Sequence, residues 1–216
     1  FLTPAISGVD NVWMFMGIYL FSNILWMFGI NGSSIVFPIV FALGIANTGL
    51  NGELVNLGKD PTAIMNLRMF RYALLGGAGN TLGLVLLMCR SKSKHISSIG
   101  RLSIVPGICG INEPIMFGAP IVLNPIMFIP FVFVPVINAI IGYFATSWGL
   151  VNHLVVLNSG VEPIFVNAWV LGAFTLSPVI LCIVLFILDL VLYYPFVKLQ
   201  IKQNTLEAQN EGAAVE

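Results

Sequence analysis

Charge is the scarcest commodity in this chain of 216 residues: Asp, Glu, Lys and Arg make up 8% of it and cancel to a net charge of zero. No basic face is interleaved with aromatic residues, so nucleic acid is excluded as a partner. Cysteine is equally sparse. Cys89, Cys109 and Cys182 are dispersed, form no CxxC pair and sit in or beside apolar runs, which suits packed thiols and excludes a metal centre or a disulfide framework. A phosphate-binding loop is missing too: Gly76-Gly77-Ala78-Gly79 lacks the Lys-Ser/Thr ending and the preceding strand, and reads instead as small-residue helix packing. No cofactor is implied. The chain begins at Phe1 close to an apolar run, so it is expected to be a processed or truncated piece of something longer, and targeting signals are not judged.

What fills the sequence is hydrophobic residues, at 58%, in runs long enough to cross a bilayer core of about 30 Å. The expectation is an all-α integral membrane protein, a multi-span helical bundle. Residues 12–30 form a first span with Trp13 and Trp26 near its ends, and residues 33–46, with Pro38 and Gly44, form a kinked span or a segment that dips into the membrane. Residues 51–68 are the most polar internal stretch. There Asp60-Pro61 offers a helix cap and a first-turn proline, so a helix is expected to start there and run into a span over 69–89. Two further spans cover about 127–148 and 167–195, and residues 203–216 form a polar cytoplasmic tail.

Arg90, Lys92, Lys94 and Arg101 share a short loop with no acid, which places it on the cytoplasmic side, as do Lys198 and Lys202 for the tail. An even number of crossings must separate the two. With clear spans at 127–148 and 167–195, residues 103–125 must enter and leave on the same side, as a re-entrant hairpin. Pro106, Pro114, Pro120, Pro125, Pro130 and Pro135 support this, recurring too often for one continuous helix. Broken backbone at membrane depth is tolerated where protein or a water-filled cavity satisfies the freed groups, and transporters place substrate at such breaks.

The hairpin holds one carboxylate, Glu113. Burying an acid at mid-bilayer costs about 2.5–3.5 kcal/mol unless partners or water relieve it. Neighbouring Asn112 and Asn124 add amide donors and acceptors, and the set suits an uncharged, hydroxyl-rich ligand such as a sugar. The competing role for Glu113 is to brace the hairpin by accepting backbone N–H bonds. Elsewhere, Asp189 within the last span requires a partner and reads as a structural pair, Glu162 as a solvated loop acid, and His153 as satisfying a local hydrogen bond. Trp148 and Trp169 read as interfacial anchors, with stacking on a pyranose face as the alternative.

Residues Gly110 to Pro125, together with Leu102-Ser103-Ile104-Val105-Pro106-Gly107, Ile129-Pro130-Phe131, Gly76 to Leu82 and the Ser91-Lys92-Ser93-Lys94 loop, resemble the membrane permease, or IIC component, of bacterial sugar phosphotransferase systems, lactose/cellobiose type. The resemblance covers nearly the whole chain. It implies that residues 1–202 are the carboxyl-terminal transport half of a permease about twice as long, whose amino-terminal helices form a homodimer, so that part of the sugar site lies outside this chain. It further implies a bacterial cell membrane and a sugar, with Asn112 and Glu113 binding it. A second group comes from a glycine-isoleucine-histidine-glycine motif, which here reads Gly29-Ile30-Asn31-Gly32. Asn31 keeps hydrogen-bonding capacity but cannot exchange a proton near neutral pH. Around Asn158 to Ile164 the tryptophan and threonines usual in the family are also replaced.

By the same resemblance, a IIB phosphoprotein, charged upstream by IIA, donates the phosphoryl group, with Glu113 the candidate proton acceptor. The phosphoryl-bearing residue is on that partner. Arg90, Lys92 and Lys94 either dock this acidic partner or only obey the positive-inside bias. Two rivals stand beside this reading: a proton-coupled secondary sugar transporter, and a non-transporting remnant acting as an assembly partner.

Overall fold

In the computed structural model, which describes residues 12–65, 74–119, 121–153, 155–156 and 162–213, polarity is turned inside out relative to a water-soluble domain. Asn23, Asn51, Asn80, Asn138 and Asp189 are buried, while Phe21, Phe37, Phe133, Ile187 and Val191 are exposed. Such a surface is stable against lipid or another apolar surface and not in water. The chain is an integral membrane protein.

The described residues form helices α1 (Val12–Met27), α2 (Gly32–Asn56), α3 (Leu82–Cys89), α4 (Lys94–Ile108), α5 (Glu113–Gly118), α6 (Pro125–Ser147), α7 (Ile164–Leu171) and α8 (Ser177–Ala213), with a 3₁₀ turn at Ala78–Asn80 and, among them, no strand. α6 and residues Ser177–Gln203 of α8 are each long and apolar enough to cross a membrane. α2 is a third such span if its halves, Gly32–Pro38 and Val40–Asn56, bent by 46°, count as one. The expected kink at Pro38 is there, because proline removes a donor and clashes with the preceding turn. α1 packs on α6, α3 lies against both α4 and α8, and α6 and α7 both pack on α8.

Several boundaries differ from expectation. α1 stops at Met27 rather than Ile30, since Gly29 turns the chain at φ 78°. Trp26 is buried with its indole N–H donating to Ser33 Oγ at 3.1 Å, so it does not anchor at an interface, whereas Trp13 is exposed. α2 runs on to Asn56, and no helix starts at Asp60-Pro61. The reason is tertiary: Asn51 donates to Ala63 O at 2.8 Å and accepts from Ala63 N at 2.9 Å, while Asn47 donates to Met65 O, so the backbone of 61–65 is bonded to α2 rather than to itself. The last span starts at Ser177, because α7 is a separate helix ended by Ala173 and Phe174 at positive φ. Pro130 and Pro135 lie within an unbroken α6, so among the described residues from α4 to α6 helix is interrupted at 109–112 and again at 121–124.

The span expected over 69–89 also dissolves. Residues 66–73 lie outside the described set, and from Leu74 the chain bends through Gly76, Gly77 and Gly79, at φ 92°, 89° and 78°, before α3 begins. These glycines are a bend and not a helix-packing stripe. α3 is therefore a half-helix that starts inside the bundle and ends at the basic loop. The polar residues 203–213 continue α8 as helix.

Within residues 103–125, α4 and α5 pack together as the two limbs of a hairpin. At its exit, Asn124 Nδ2 donates to Gln200 Oε1 at 2.7 Å, beside Lys198 and Lys202 toward the carboxyl-terminal end of α8. A small apolar cavity is lined by Met88 and Ile96 near its entry, by Ile121 near its exit, and by Gln200. Entry and exit thus share one level. At the opposite end of α6, the N–H of Asn152 donates to Ser177 Oγ at 3.2 Å, joining the far ends of α6 and α8.

Candidate functional site

The hairpin turns where α4 runs out. Cys109 and Gly110 close the helix by returning their N–H groups to Pro106 and Gly107 carbonyls at 2.9 and 3.0 Å, and Gly110 adopts φ 80°, a conformation glycine takes without steric cost. Asn112 and Glu113 follow at once. Asn112 is buried, its Nδ2 donating to Ala78 O at 3.2 Å, and its carbonyl accepts the N–H groups of Ile115 and Met116 at 3.1 and 2.9 Å. It is fixed from both sides.

Glu113 opens α5, followed by Pro114 in the first turn, where a proline's missing donor costs nothing. Its side chain is exposed, and no hydrogen bond to another described residue engages it. Bracing the hairpin through backbone N–H groups is therefore not its role in this structure. A carboxylate that is held by its backbone but unspent is available to accept hydrogen bonds from hydroxyls.

The partner of the tip is the glycine bend. Ala78 O receives Asn112, the N–H of Gly79 donates to Asn23 Oδ1 of α1 at 3.1 Å, and Gly79 O accepts the Tyr193 hydroxyl of α8. Tyr193 lies five residues before Lys198, about 8 Å along the helix axis, and Asp189 nine residues before it, about 14 Å. The meeting point of bend and tip thus lies within the length of the last span, where two discontinuous segments, the start of α3 and the tip of the hairpin, face each other.

Asn31 is exposed and caps α2, its Oδ1 accepting from Ser34 N at 3.0 Å, which leaves Nδ2 able to donate. The structure ties its turn to the other end of the hairpin, with Leu123 N donating to Met27 O at 2.9 Å, and no hydrogen bond among the described residues joins Asn31 to Asn112 or Glu113. Asn124 is spent elsewhere: Oδ1 caps α6 by accepting from Ile126 and Met127, and Nδ2 goes to Gln200. Both ends of its amide are engaged within the protein.

Arg90, Lys92 and Lys94 are exposed around the turn between α3 and α4, where Ser93 caps α4. Arg101, two turns further on, extends the basic surface. Trp169 donates its indole N–H to Phe174 O at 2.9 Å and bolsters the turn after α7, while Trp148 is exposed with its ring 5.5 Å from that of Phe144. Glu162 is half-buried and accepts from Asn167 Nδ2 at 2.9 Å, so it is not a solvated acid. The replaced residues at 158–161 lie outside the described set. Among the described residues, no group of His, Cys, Asp and Glu is placed to hold a metal ion.

Asp189 was expected to need a partner, and the sequence did not say which. It is Asn138 of α6, whose Nδ2 donates to Asp189 Oδ1 at 2.8 Å.

Comparison with known proteins bears on this arrangement. A family model described as "Phosphotransferase system, EIIC" matches residues 2–135. The chain is 37% identical over 205 residues to the lactose-specific EIICB component of Staphylococcus haemolyticus, an alignment covering 94% of this chain and 34% of that protein. It is 33% identical over 227 residues to the cellobiose-specific EIIC component of Lactococcus lactis subsp. lactis, covering 92% of this chain and 44% of that protein. Among solved structures, that of the transporter ChbC, the IIC component from the N,N'-diacetylchitobiose-specific phosphotransferase system, superimposes with a TM-score of 0.91 at 34% identity, covering 96% of this chain and 49% of that one. The chain thus spans between about a third and a half of the length of these relatives.

Proposed function

This chain belongs to the EIIC family of the phosphotransferase system, and on that premise we propose that it is the sugar-handling half of a membrane permease that takes up a β-linked disaccharide such as cellobiose or lactose, coupled to its phosphorylation. The observation that carries the proposal is the hairpin tip: a buried Asn112, fixed by Ala78, beside an exposed and unspent Glu113 at a break in the helical backbone. The names of the relatives, lactose-specific, cellobiose-specific and N,N'-diacetylchitobiose-specific, agree in pointing to disaccharides.

In this reading Asn112 and Glu113 hold sugar hydroxyls, with Asn31 adding a donor from the turn before α2. An asparagine can do this without a titrating proton, so the proton released on phosphorylation goes to Glu113. The sugar hydroxyl oxygen attacks the phosphorus of a phosphocysteine on the IIB partner, the P–S bond breaks, and the thiolate leaves. Phosphoryl transfer asks the permease for little beyond holding the attacking oxygen in line. IIB docks on the basic surface formed by Arg90, Lys92 and Lys94, and is itself recharged by IIA. The permease is a homodimer through an amino-terminal half outside this chain.

The test supplies membranes containing the complete permease with phosphorylated IIB and labelled cellobiose or lactose. Accumulation of the sugar phosphate is expected. Accumulation of free sugar that collapses with the proton gradient would replace this reading with proton-coupled transport, and no accumulation of either would leave an assembly role.

A further inference from the structure

Four fully buried side chains stand behind the glycine bend and take no part in sugar contact: Asn80, Asn138, Asp189 and Tyr193, each with 0% of its surface exposed. They come from three elements far apart in sequence. Asn138 of α6 donates to Asp189 of α8, Tyr193 one turn further along α8 donates to Gly79 O, and Asn80 lies beside the Asp189 carboxyl without a well-formed hydrogen bond to it. Asn80 is itself held at φ 53°, an uncommon conformation for a residue other than glycine. The preceding Ala78–Gly79 peptide unit is held at both edges, where Ala78 O takes Asn112 and the Gly79 N–H goes to Asn23.

The bend is therefore clamped on every side. A Cβ on Gly77 would lie 2.8 Å from the side chain of Asn112, so the tip presses on the bend directly, and one on Gly83, in the first turn of α3, would lie 3.1 Å from Leu190 N, so α8 packs closely just after it. Buried polar groups in a membrane interior are costly, and a packed apolar cluster would hold three helices together as well. What such a cluster would not do is fix the direction of two backbone carbonyls.

We propose that Tyr193 and Asp189 are positioning residues for the sugar site: with Asn138 they set the Gly76–Asn80 bend so that Ala78 O holds Asn112 in its binding orientation. Asp189 acts as a hydrogen-bond acceptor rather than as a charge or a proton carrier. The proposal rests on the reading of Asn112 and Glu113 as sugar ligands.

The experiment uses the complete permease, with cellobiose, lactose and N,N'-diacetylchitobiose as probes. Tyr193→Phe removes one hydroxyl and is expected to weaken sugar binding about three- to tenfold, the worth of one buried hydrogen bond. Combined with Asn112→Ala it should add no further loss, because both act through one contact. Asp189→Asn keeps an acceptor oxygen for Asn138 and should bind within about twofold of wild type, whereas Asp189→Leu should lose tenfold or more. Independently of sugar, amide exchange over residues 109–116 should accelerate in Tyr193→Phe while α6 stays protected.

Unchanged exchange at the tip in Tyr193→Phe, additive losses with Asn112→Ala, or an Asp189→Asn variant as damaged as Asp189→Leu would each overturn the proposal. A tip that loosens as expected, in a permease where Asn112→Ala and Glu113→Gln bind every sugar as the wild type does, would instead overturn the sugar-site reading alone. Should Asp189→Leu fail to assemble, Tyr193→Phe and Asp189→Asn still decide.

Discussion

Gly77 offers the sharpest perturbation of the site from outside it. Its backbone, at φ 89° and ψ −165°, lies in a region essentially closed to residues with a Cβ, at a cost of about 1–3 kcal/mol. The added methyl of Gly77→Ala would also lie 2.8 Å from both Cβ and Oδ1 of Asn112, and forcing such an overlap into a packed interior costs about 1–3 kcal/mol more. Together the substitution should destabilise the permease by roughly 2–6 kcal/mol, with the hairpin tip displaced. The two parts separate in a cycle with Asn112→Ala. That change removes Cγ and Oδ1 but leaves Cβ, itself 2.8 Å from the methyl, so the double variant should recover part of the steric loss and keep the backbone part. Thermal unfolding in detergent reads stability, and sugar binding reads the tip. A Gly77→Ala variant within about 0.5 kcal/mol of wild type, or a double variant with no recovery, would refute the link between bend and tip.

Further outcomes follow from the same geometry. Glu113→Gln should express normally and bind or phosphorylate sugar at least tenfold less well, and wild-type uptake would return the acid to a structural role. Asn31→Asp keeps the cap on α2 but removes the N–H donor, so its melting temperature should hold while sugar binding falls; Asn31→Ala should lose both, the cap being worth about 1 kcal/mol. Neutralising Arg90, Lys92 and Lys94 should slow phosphotransfer from IIB without altering sugar binding, and should flatten the dependence of the rate on salt; unchanged transfer would remove the docking role. Asn51→Leu strands the N–H and carbonyl of Ala63 inside the protein and should cost about 1–3 kcal/mol by thermal unfolding.

The backbone breaks between α4 and α6 were legible in the sequence because their signals are local. The prolines and glycines there mark where helix cannot continue. Local signals also misled. Asp60-Pro61 is a sound helix start, but it loses to Asn47 and Asn51, whose amides capture the backbone of 61–65 from another element. Gly76 to Gly79 in an apolar run fits either close helix packing or a bend, and only the positive φ angles decide. Asp189 announced its need for a partner through its cost in lipid, yet Asn138 is a common polar residue in a distant helix, and no periodicity joins the two. The same holds for Tyr193, which reads as one more aromatic in an apolar helix until its hydroxyl is seen to reach Gly79.

Sided labelling tests the re-entrant hairpin most directly. Single cysteines at Ser98, Leu123 and Leu150, all exposed, are introduced into the complete permease with its native cysteines replaced, and probed with a membrane-impermeant maleimide in vesicles of both orientations. Positions 98 and 123 should react from the cytoplasmic face and position 150 from the opposite one. Reaction of position 123 from the outer face would mean that residues 103–125 cross the membrane, and would contradict the re-entrant placement of Glu113.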